Sequence, residues 1–317
     1  MVRIITYRVP VLARYARRFL FFEFAGYGLA AGVLVRLGMG WWSFPVTVIG
    51  LALLMRCVAV ATTFVVAAML SPAGERLPQS TAGRLRMVAA EIVWTTLTYS
   101  VLMPFPRMFS RAESRLSANT AATPVLLLHG YVCNSGIWAS MRLFLEAKGV
   151  PVYTHDLEPV YAGIDEYVPG LAARIEDICA RTGAQRLVLV AHSMGGLAAR
   201  AYLRAAGPAR VAKLITLGTP HHGTRTAPLG LGANARQMEP GSAWLESLDR
   251  AESGAAGVPV TSIYSRDDNV VVPAESSALD RARNMKLSSI GHVSLVFSHI
   301  VQETVMDEIR AARGIER

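Results

Sequence analysis

The sequence predicts an α/β protein with a mostly parallel sheet, preceded by an N-terminal transmembrane helical hairpin. Two observations lead to this prediction: long apolar stretches fill most of residues 19–70, and after residue 123 short β-rich runs alternate with segments of helical spacing. The composition agrees, because 52% of the 317 residues are hydrophobic and only 17% are charged. Part of so apolar a chain is expected to lie in a membrane.

The hairpin is predicted within residues 1–72, after a basic N-terminus. Its two apolar stretches run from Phe19 to Leu37 and from Phe44 to Leu70, and a Gly/Trp turn from Gly38 to Ser43 joins them. Each stretch is long enough to cross a bilayer. Positive residues flank both ends of the hairpin, so we expect both ends on the cytoplasmic side of a cell membrane.

Arg56 stands near the middle of the second stretch, where it opposes insertion by roughly 2.5–3.5 kcal/mol. The thirteen Leu, Ile, Val and Phe residues between positions 44 and 70 return about 0.3–0.6 kcal/mol each, so insertion is still favoured. Counted from Trp41 at the turn, Glu23 lies 18 residues back and Arg56 lies 15 residues forward. The two side chains therefore lie at similar depth, where they either pair inside the hairpin or snorkel separately toward the headgroups.

Residues 73–123 are predicted to form an interfacial helix and a linker. The apolar stretch from Met87 to Phe105 contains Glu91 and several hydroxyls, so we expect it to lie in the membrane interface or to pack on the following domain. If it crossed the bilayer instead, the rest of the chain would lie on the opposite side. Polar residues 110–123 lack apolar periodicity, which is typical of a linker.

Residues 124–317 predict a single α/β domain. Segments such as "VPGLAARIEDICARTG" and "GLAARAYLRAAG" have helical spacing and separate short β-rich runs. Strands that alternate with helices build a mostly parallel sheet, here of six strands, with helices on both faces. The six predicted strands are residues 124–128, 150–155, 186–190, 213–217, 258–264 and 285–290.

Polar side chains follow these strands at the end of the sheet where chemistry gathers in parallel folds. The segment "AHSMGG" places Ser193 between the third strand and a helix, "SIYSRDDNVV" places Asp267 and Asp268 after the fifth, and "GHVSLVFS" places His292 after the last. Ser193 alone would also suit a helix cap. Together with an acid and a histidine in this order, it indicates a catalytic serine.

The combination of "LLLHG", "HSMGG", "LGTPHHGT", "SIYSRDDNVV" and "GHVSLVFS" resembles the bacterial lipases and esterases of the α/β-hydrolase superfamily. It is similar especially to the small lipases with a minimal six-stranded sheet, and the resemblance covers residues 124–317. It implies a minimal α/β-hydrolase fold with Ser193 as nucleophile and His292 as general base. It favours Asp268 over Asp267 as the acid. The hairpin lies outside the resemblance, and we expect it in a bacterial inner membrane.

The same resemblance implies the remaining parts of the reaction. Backbone N–H groups of Tyr131 and Met194 would form the oxyanion hole, and the reaction would proceed through an acyl-enzyme without metal or organic cofactor. Ala191 stands where the first glycine of the GxSxG pattern is usual, and its small side chain is tolerated there. The expected substrate is a carboxylic ester of a lipid-like molecule, which suits a membrane-anchored enzyme.

A lid-like insertion is predicted at residues 225–257, between "LGTPHHGT" and "GVPVTSIYS". This position often supplies acyl-chain contacts in lipase-like enzymes, although a plain surface helix would give the same pattern. The candidates for an apolar substrate-binding wall are Leu229, Leu231, Met238, Trp244 and Leu245.

Other functional classes find less support. The net charge of +9 is not accompanied by zinc-ligand spacing or an RNA-binding aromatic motif, so we expect a membrane and no nucleic acid as partner. The three cysteines are far apart and predict neither a disulfide framework nor a metal site. His221 and His222 are expected to be packing residues.

The same triad would also support an acyltransferase or thioesterase, and a catalytically idle membrane interaction module is the non-enzymatic alternative. The sequence gives no oligomeric state.

Overall fold

A computed structural model describes residues 9–72, 80–109, 123–252 and 257–312 of the chain. The first eight residues of the basic N-terminus and residues 110–122 of the predicted linker lie outside these ranges. So do residues 73–79, 253–256 of the insertion and 313–317 at the end of the chain.

Two long helices, α1 (Val11–Arg36) and α2 (Ser43–Leu70), form the N-terminal hairpin. They are the two helices in the described ranges that are long and apolar enough to cross a membrane. Helix α1 has 26 residues and α2 has 28. Both therefore exceed the roughly 20 residues that a hydrocarbon core requires.

Of the two alternatives for Glu23 and Arg56, the structure contains the ion pair inside the hairpin. Arg56 Nη2 donates to Glu23 Oε2 at 2.7 Å, and Arg56 Nη1 donates to Glu23 Oε1. The Tyr27 hydroxyl also donates to Oε1, at 2.7 Å, and the Arg56 guanidinium reaches Ser100 Oγ at 3.3 Å. The two charges are therefore satisfied within the protein and do not depend on the headgroups.

The third apolar stretch forms α3 (Thr81–Leu97), which continues as a π-helical turn (Thr98–Leu102) before the short α4 (Pro106–Phe109). Ser80 caps α3 by accepting a hydrogen bond from the Gly83 N–H at 3.1 Å. Helix α3 lies between the hairpin and the C-terminal domain, because Ser100 contacts Arg56 while Trp94 stacks on Phe297 with ring centroids 4.4 Å apart.

The C-terminal domain is built on one parallel six-stranded sheet of order β2-β1-β3-β4-β5-β6. All six predicted strands are present, with their ends shifted by up to three residues. The strands are β1 (Val125–Leu128), β2 (Val152–His155), β3 (Leu187–His192), β4 (Val211–Leu217), β5 (Val260–Ser265) and β6 (Arg283–Leu287).

Helices cover both faces of the sheet, because alternate residues of each strand point to opposite sides. The remaining helices are α5 (Ala139–Ala147), α6 (Val168–Thr182), α7 (Met194–Ala206), α8 (Gly232–Gln237), α9 (Ala243–Glu252), α10 (Ser294–Phe297) and α11 (His299–Ala312). Val125 and Leu127 belong to the core on the face of α5 and α11, whereas Leu126 and Leu128 belong to the core on the face of α6 and α7.

Candidate active site

Ser193 lies at a sharp turn between β3 and α7. Its backbone has φ 55° and ψ −131°, outside the regions that a residue with a side chain ordinarily occupies, at a cost of about 1–3 kcal/mol. The surrounding structure holds this conformation, because the Ser193 N–H donates to Leu217 O at 2.9 Å and Thr219 Oγ1 donates to Ser193 O at 2.8 Å. The turn leaves the hydroxyl in a cavity at the end of the sheet.

The small residues of "AHSMGG" let this turn pack closely on its neighbours. A Cβ on Gly195 would come within 2.5 Å of His129 O, so no larger residue fits there without movement of the first strand's loop. Ala191 is fully buried in the core between β3 and its covering helices. Its methyl group occupies the position of the usual glycine, and the turn still forms.

Asp268 and His292 meet at the ends of β5 and β6. His292 Nδ1 lies 2.8 Å from Asp268 Oδ2, and the other carboxylate oxygen accepts the N–H groups of Val270 and Val271, both at 2.8 Å. A carboxylate with so many donors is fixed in orientation. The acid can therefore fix the imidazole with Nε2 directed away from it.

Burial disfavours the charged form of the His292 imidazole, but the Asp268 carboxylate and its hydrogen bond favour it more strongly, with a further contribution from Glu91. The net result is a pKa of His292 above its ordinary value. A histidine in this environment readily accepts a proton and stabilises the resulting imidazolium, as a general base must.

Two nearby residues with similar chemistry have other contacts. Asp267 Oδ2 accepts the Ser289 N–H at 2.6 Å and so holds the loop before His292. His192 donates from Nε2 to His292 O at 3.1 Å, and burial keeps its pKa well below the ordinary value. His192 therefore fixes the backbone of His292 beside the end of β3 and stays neutral.

Two backbone N–H groups beside Ser193 are available to a ligand. Within the described part of the chain, neither the Met194 N–H nor the Tyr131 N–H has an acceptor. Met194 is the first residue of α7, where N–H groups lack partners within the helix. The loop that carries Tyr131 is fixed by neutral His129, which accepts the Leu157 N–H at Nε2 and donates from Nδ1 to Gly130 O, both at 2.9 Å.

A mostly apolar cavity of about 350 Å³ adjoins Ser193, within the size range of small-molecule pockets. Of the five candidate wall residues, the structure brings Leu229 and Met238 to this cavity. Tyr131 also lines it, and its hydroxyl ties the insertion to the oxyanion loop by accepting the Leu231 N–H at 2.7 Å and donating to Leu231 O at 2.8 Å.

The structure does not bring the other three candidates to the cavity. Leu245 is buried in a separate core beneath α7 and α9, and Trp244 donates from Nε1 to Asp165 Oδ2 at 2.9 Å. The Leu231 side chain is exposed. The apolar face of α9 thus packs on the domain itself, and Leu231, Trp244 and Leu245 are not among the residues that line the cavity.

The other reactive side chains have structural partners. Burial raises the pKa of the Cys133 thiol to about 12, and its sulfur packs 3.7 Å from Met103 Sδ. His221 is buried beside Arg200, and burial and that charge lower its pKa well below the ordinary value. The described residues contain no group of three or more His, Cys, Asp or Glu side chains arranged to hold a metal ion.

Sequence reasoning missed three residues that hold the His292 loop. Glu91 of α3 is buried and accepts the N–H groups of Val293 and Ser294, both at 2.9 Å. Asn269 accepts the His292 N–H at 2.9 Å and donates to Thr63 Oγ1 of α2 at 2.7 Å. A lone carboxylate in an apolar helix was the available signal for Glu91, but its partners lie about 200 residues away.

Comparisons with known proteins agree with this architecture. A family model described as the alpha/beta hydrolase fold matches residues 123–239. A triacylglycerol lipase from Burkholderia plantarii is 30% identical over 155 residues, which are 45% of this chain and 43% of that protein. A triacylglycerol lipase from Pseudarthrobacter phenanthrenivorans is 33% identical over 112 residues, 33% of this chain and 35% of that protein. The match thus spans less than half the length of either relative.

A solved structure agrees on the fold. The mature form of the Bacillus licheniformis lipase BlEst2 superposes with a TM-score of 0.55 at 18% identity, covering 60% of this chain and 93% of that one. The six-stranded parallel sheet, the family-model match and the similarity to lipases all support the same fold. The chain therefore has the α/β-hydrolase fold and is similar to lipases over part of its length.

Proposed function

We propose that this protein is a membrane-anchored serine hydrolase that cleaves carboxylic esters of lipid-like molecules through an acyl-enzyme. The observation that carries the proposal is the contact of His292 Nδ1 with Asp268 Oδ2 at 2.8 Å, at the same end of the sheet as a serine in a strained turn with φ 55°. The lipase relatives favour an ester as substrate over other acyl compounds.

In the first half-reaction, Ser193 Oγ attacks the ester carbonyl carbon while His292 Nε2 takes the hydroxyl proton. The carbonyl electron pair moves to the oxygen, which accepts hydrogen bonds from the N–H groups of Tyr131 and Met194. When this pair returns, the bond to the alcohol breaks, and His292 gives its proton to the departing oxygen. Ser193 then carries the acyl group as an ester.

In the second half-reaction, water attacks the acyl carbon and gives a proton to His292 Nε2. The tetrahedral intermediate collapses, the bond to Ser193 Oγ breaks, and the proton returns to Oγ. Asp268 stays ionised throughout and stabilises the imidazolium in both halves. The products are one carboxylic acid and one alcohol for each ester and water consumed.

The same proposal assigns residues 1–72 to the membrane anchor, 73–123 to a connecting segment and 124–317 to the hydrolase. Large apolar side chains cover the outer surfaces of α1 and α2, and Phe22 and Leu29 expose 70% and 74% of their area. Surfaces of this size on a soluble protein are unusual, whereas lipid would cover them. The positive residues at the hairpin ends favour the cytoplasmic side for the hydrolase.

Labelling with a fluorophosphonate, which reacts with activated serines, tests this function. Membranes containing the wild type are expected to show a labelled band that Ser193→Ala loses and that Ser247→Ala, a change of an exposed serine on α9, retains. Assays with esters of graded chain length then distinguish a lipase from a short-chain esterase. Labelling that persists in Ser193→Ala would refute the nucleophile.

A further inference from the structure

Helix α2 forms part of the wall of the cavity at Ser193. Thr62, Thr63 and Val66 line this cavity together with Leu229 and Met238 of the hydrolase domain. The family-model match does not account for this wall, because it begins at residue 123. The proposed anchor therefore contributes directly to the space that a substrate would occupy.

The contact between α2 and the hydrolase is specific. Thr63 Oγ1 accepts from Asn269 Nδ2 at 2.7 Å, and Leu70 O accepts from Arg225 Nη1 at 2.8 Å. Asn269 follows the acid Asp268 directly and holds the backbone of His292. These bonds fix the last two turns of α2 against the mouth of the cavity.

The depth of this wall follows from helix geometry. Helix α2 begins at Ser43, directly after Trp41 and Trp42, and tryptophans favour the membrane interface. A hydrocarbon core of about 30 Å takes about 20 residues of helix, so a span that begins at Ser43 ends near Thr62. The cavity wall therefore lies where the hydrocarbon meets the headgroups, and the ester bonds of glycerolipids lie at this level.

The rim of the cavity is apolar on the hydrolase side as well. Leu229 at the cavity exposes 71% of its area, and Leu231, which lies just outside the cavity lining, exposes 68%. Leaving each leucine in water forgoes about 1.5–3 kcal/mol. On α2, Val58 exposes half of its area and lies two helical turns before Val66, about 12 Å away along the helix, so it does not line the cavity. Lipid that covers this part of α2 would also reach the exposed leucines beside the cavity.

We propose that the substrate is a long-chain ester lipid that enters the cavity directly from the bilayer, with its acyl chain passing along α2 at Val66. This inference rests on the proposed function of Ser193. It adds that α2 determines chain-length specificity and that the substrate reaches Ser193 without passing through water.

Substitutions at two positions of α2 test the wall. The full chain is reconstituted in phosphatidylcholine vesicles and assayed with resorufin oleate and with the water-soluble resorufin acetate. In Val66→Phe the ratio of kcat/KM for oleate over acetate is expected to fall about tenfold or more, because a filled pocket rejects the longer chain. Val58→Phe, two helical turns away from Val66 and outside the cavity lining, is the matched control and is expected to keep the wild-type ratio.

Two further measurements test the route. At constant total oleate ester, dilution with extra phosphatidylcholine is expected to lower the rate, because entry from the bilayer depends on mole fraction. A rate that depends on bulk concentration alone would overturn the inference. In Ser193→Ala vesicles, a phosphatidylcholine with a diazirine in its acyl chain is expected to crosslink to residues 62–66; crosslinks confined to other parts of the chain would also overturn it.

The outcomes separate this inference from the function on which it rests. If the fluorophosphonate does not label the wild type, the proposed hydrolase function itself is rejected. Retained labelling with equal oleate-to-acetate ratios in Val66→Phe and Val58→Phe would reject the role of α2 alone. If Val66→Phe is not labelled and so has not folded, Thr62→Phe at the exposed rim replaces it, with the same expected fall in the ratio.

Discussion

Replacement of Glu91 by glutamine should lower stability and shift the pH dependence of hydrolysis together. Glu91 Oε1 accepts the Val293 N–H, and Oε2 accepts both the N–H and the hydroxyl of Ser294, at 2.9 and 2.5 Å. Glutamine retains one acceptor oxygen, so the Val293 N–H loses its partner, at about 1–3 kcal/mol. The two remaining bonds weaken by about 1 kcal/mol each when they lose their charge.

The expected loss is therefore roughly 3–5 kcal/mol, a large part of a typical domain's stability. It can be measured as a lower midpoint of thermal unfolding in detergent. Loss of the charge also acts on His292, whose pKa is held above its ordinary value mainly by Asp268 against the effect of burial, with Glu91 adding to the same direction. Because the base must be neutral, removal of Glu91 lowers that pKa and moves the acidic limb of kcat/KM to lower pH.

Two variants separate charge from packing. Glu91→Asp keeps the charge but shortens the side chain. It should therefore be less stable than the wild type, while the acidic limb of its kcat/KM profile should move less than that of Glu91→Gln. Glu246→Gln removes an exposed carboxylate on α9 and should change neither property. If the acidic limb of Glu91→Gln stays where the wild-type limb lies, or moves to higher pH, the reasoning about the charge at His292 is refuted.

Three further predictions concern other parts of the chain. In steady-state ester hydrolysis, Asp268→Asn should lower kcat by about four orders of magnitude, as loss of a triad acid does. Asp267→Asn should lower kcat by less than about tenfold. Equal losses in the two variants would contradict the choice of Asp268 as the acid. Glu23→Leu alone leaves the Arg56 charge unpaired, which should lower the free energy of unfolding by about 3–5 kcal/mol. Adding Arg56→Leu should restore part of this stability in thermal unfolding, and additive losses would exclude coupling. Iodoacetamide should spare Cys133 in the folded protein at neutral pH, because burial raises the pKa of its thiol to about 12; rapid alkylation would contradict this.

The sheet was predictable because its strands are short, apolar and separated by helical segments. In a parallel fold this pattern sets both the strand direction and the edge where loops converge. Ser193 and His292 could be named as candidates because each follows a strand at that edge. The choice between Asp267 and Asp268 was different, because adjacent residues in a turn point in different directions and spacing does not say which one faces the histidine.

Residues that depend on packing between distant segments were not predictable. The apolar face of α9 has helical periodicity, and periodicity gives the direction of a face without saying what covers it. Trp244 and Leu245 therefore suited a substrate wall as well as a core. Glu91 and Thr63 could not be connected with His292, because the contacts join segments about 200 residues apart whose relative placement depends on the complete fold.

The contacts that α2 and α3 make with the His292 loop affect where this protein can act. Glu91 satisfies the N–H groups of Val293 and Ser294, and Trp94 covers Phe297. A protease that cut between α3 and β1 and released the C-terminal part would uncover these groups to water. If the proposed function is correct, release would therefore also inactivate the enzyme, and its turnover would stay confined to the membrane that the hairpin occupies.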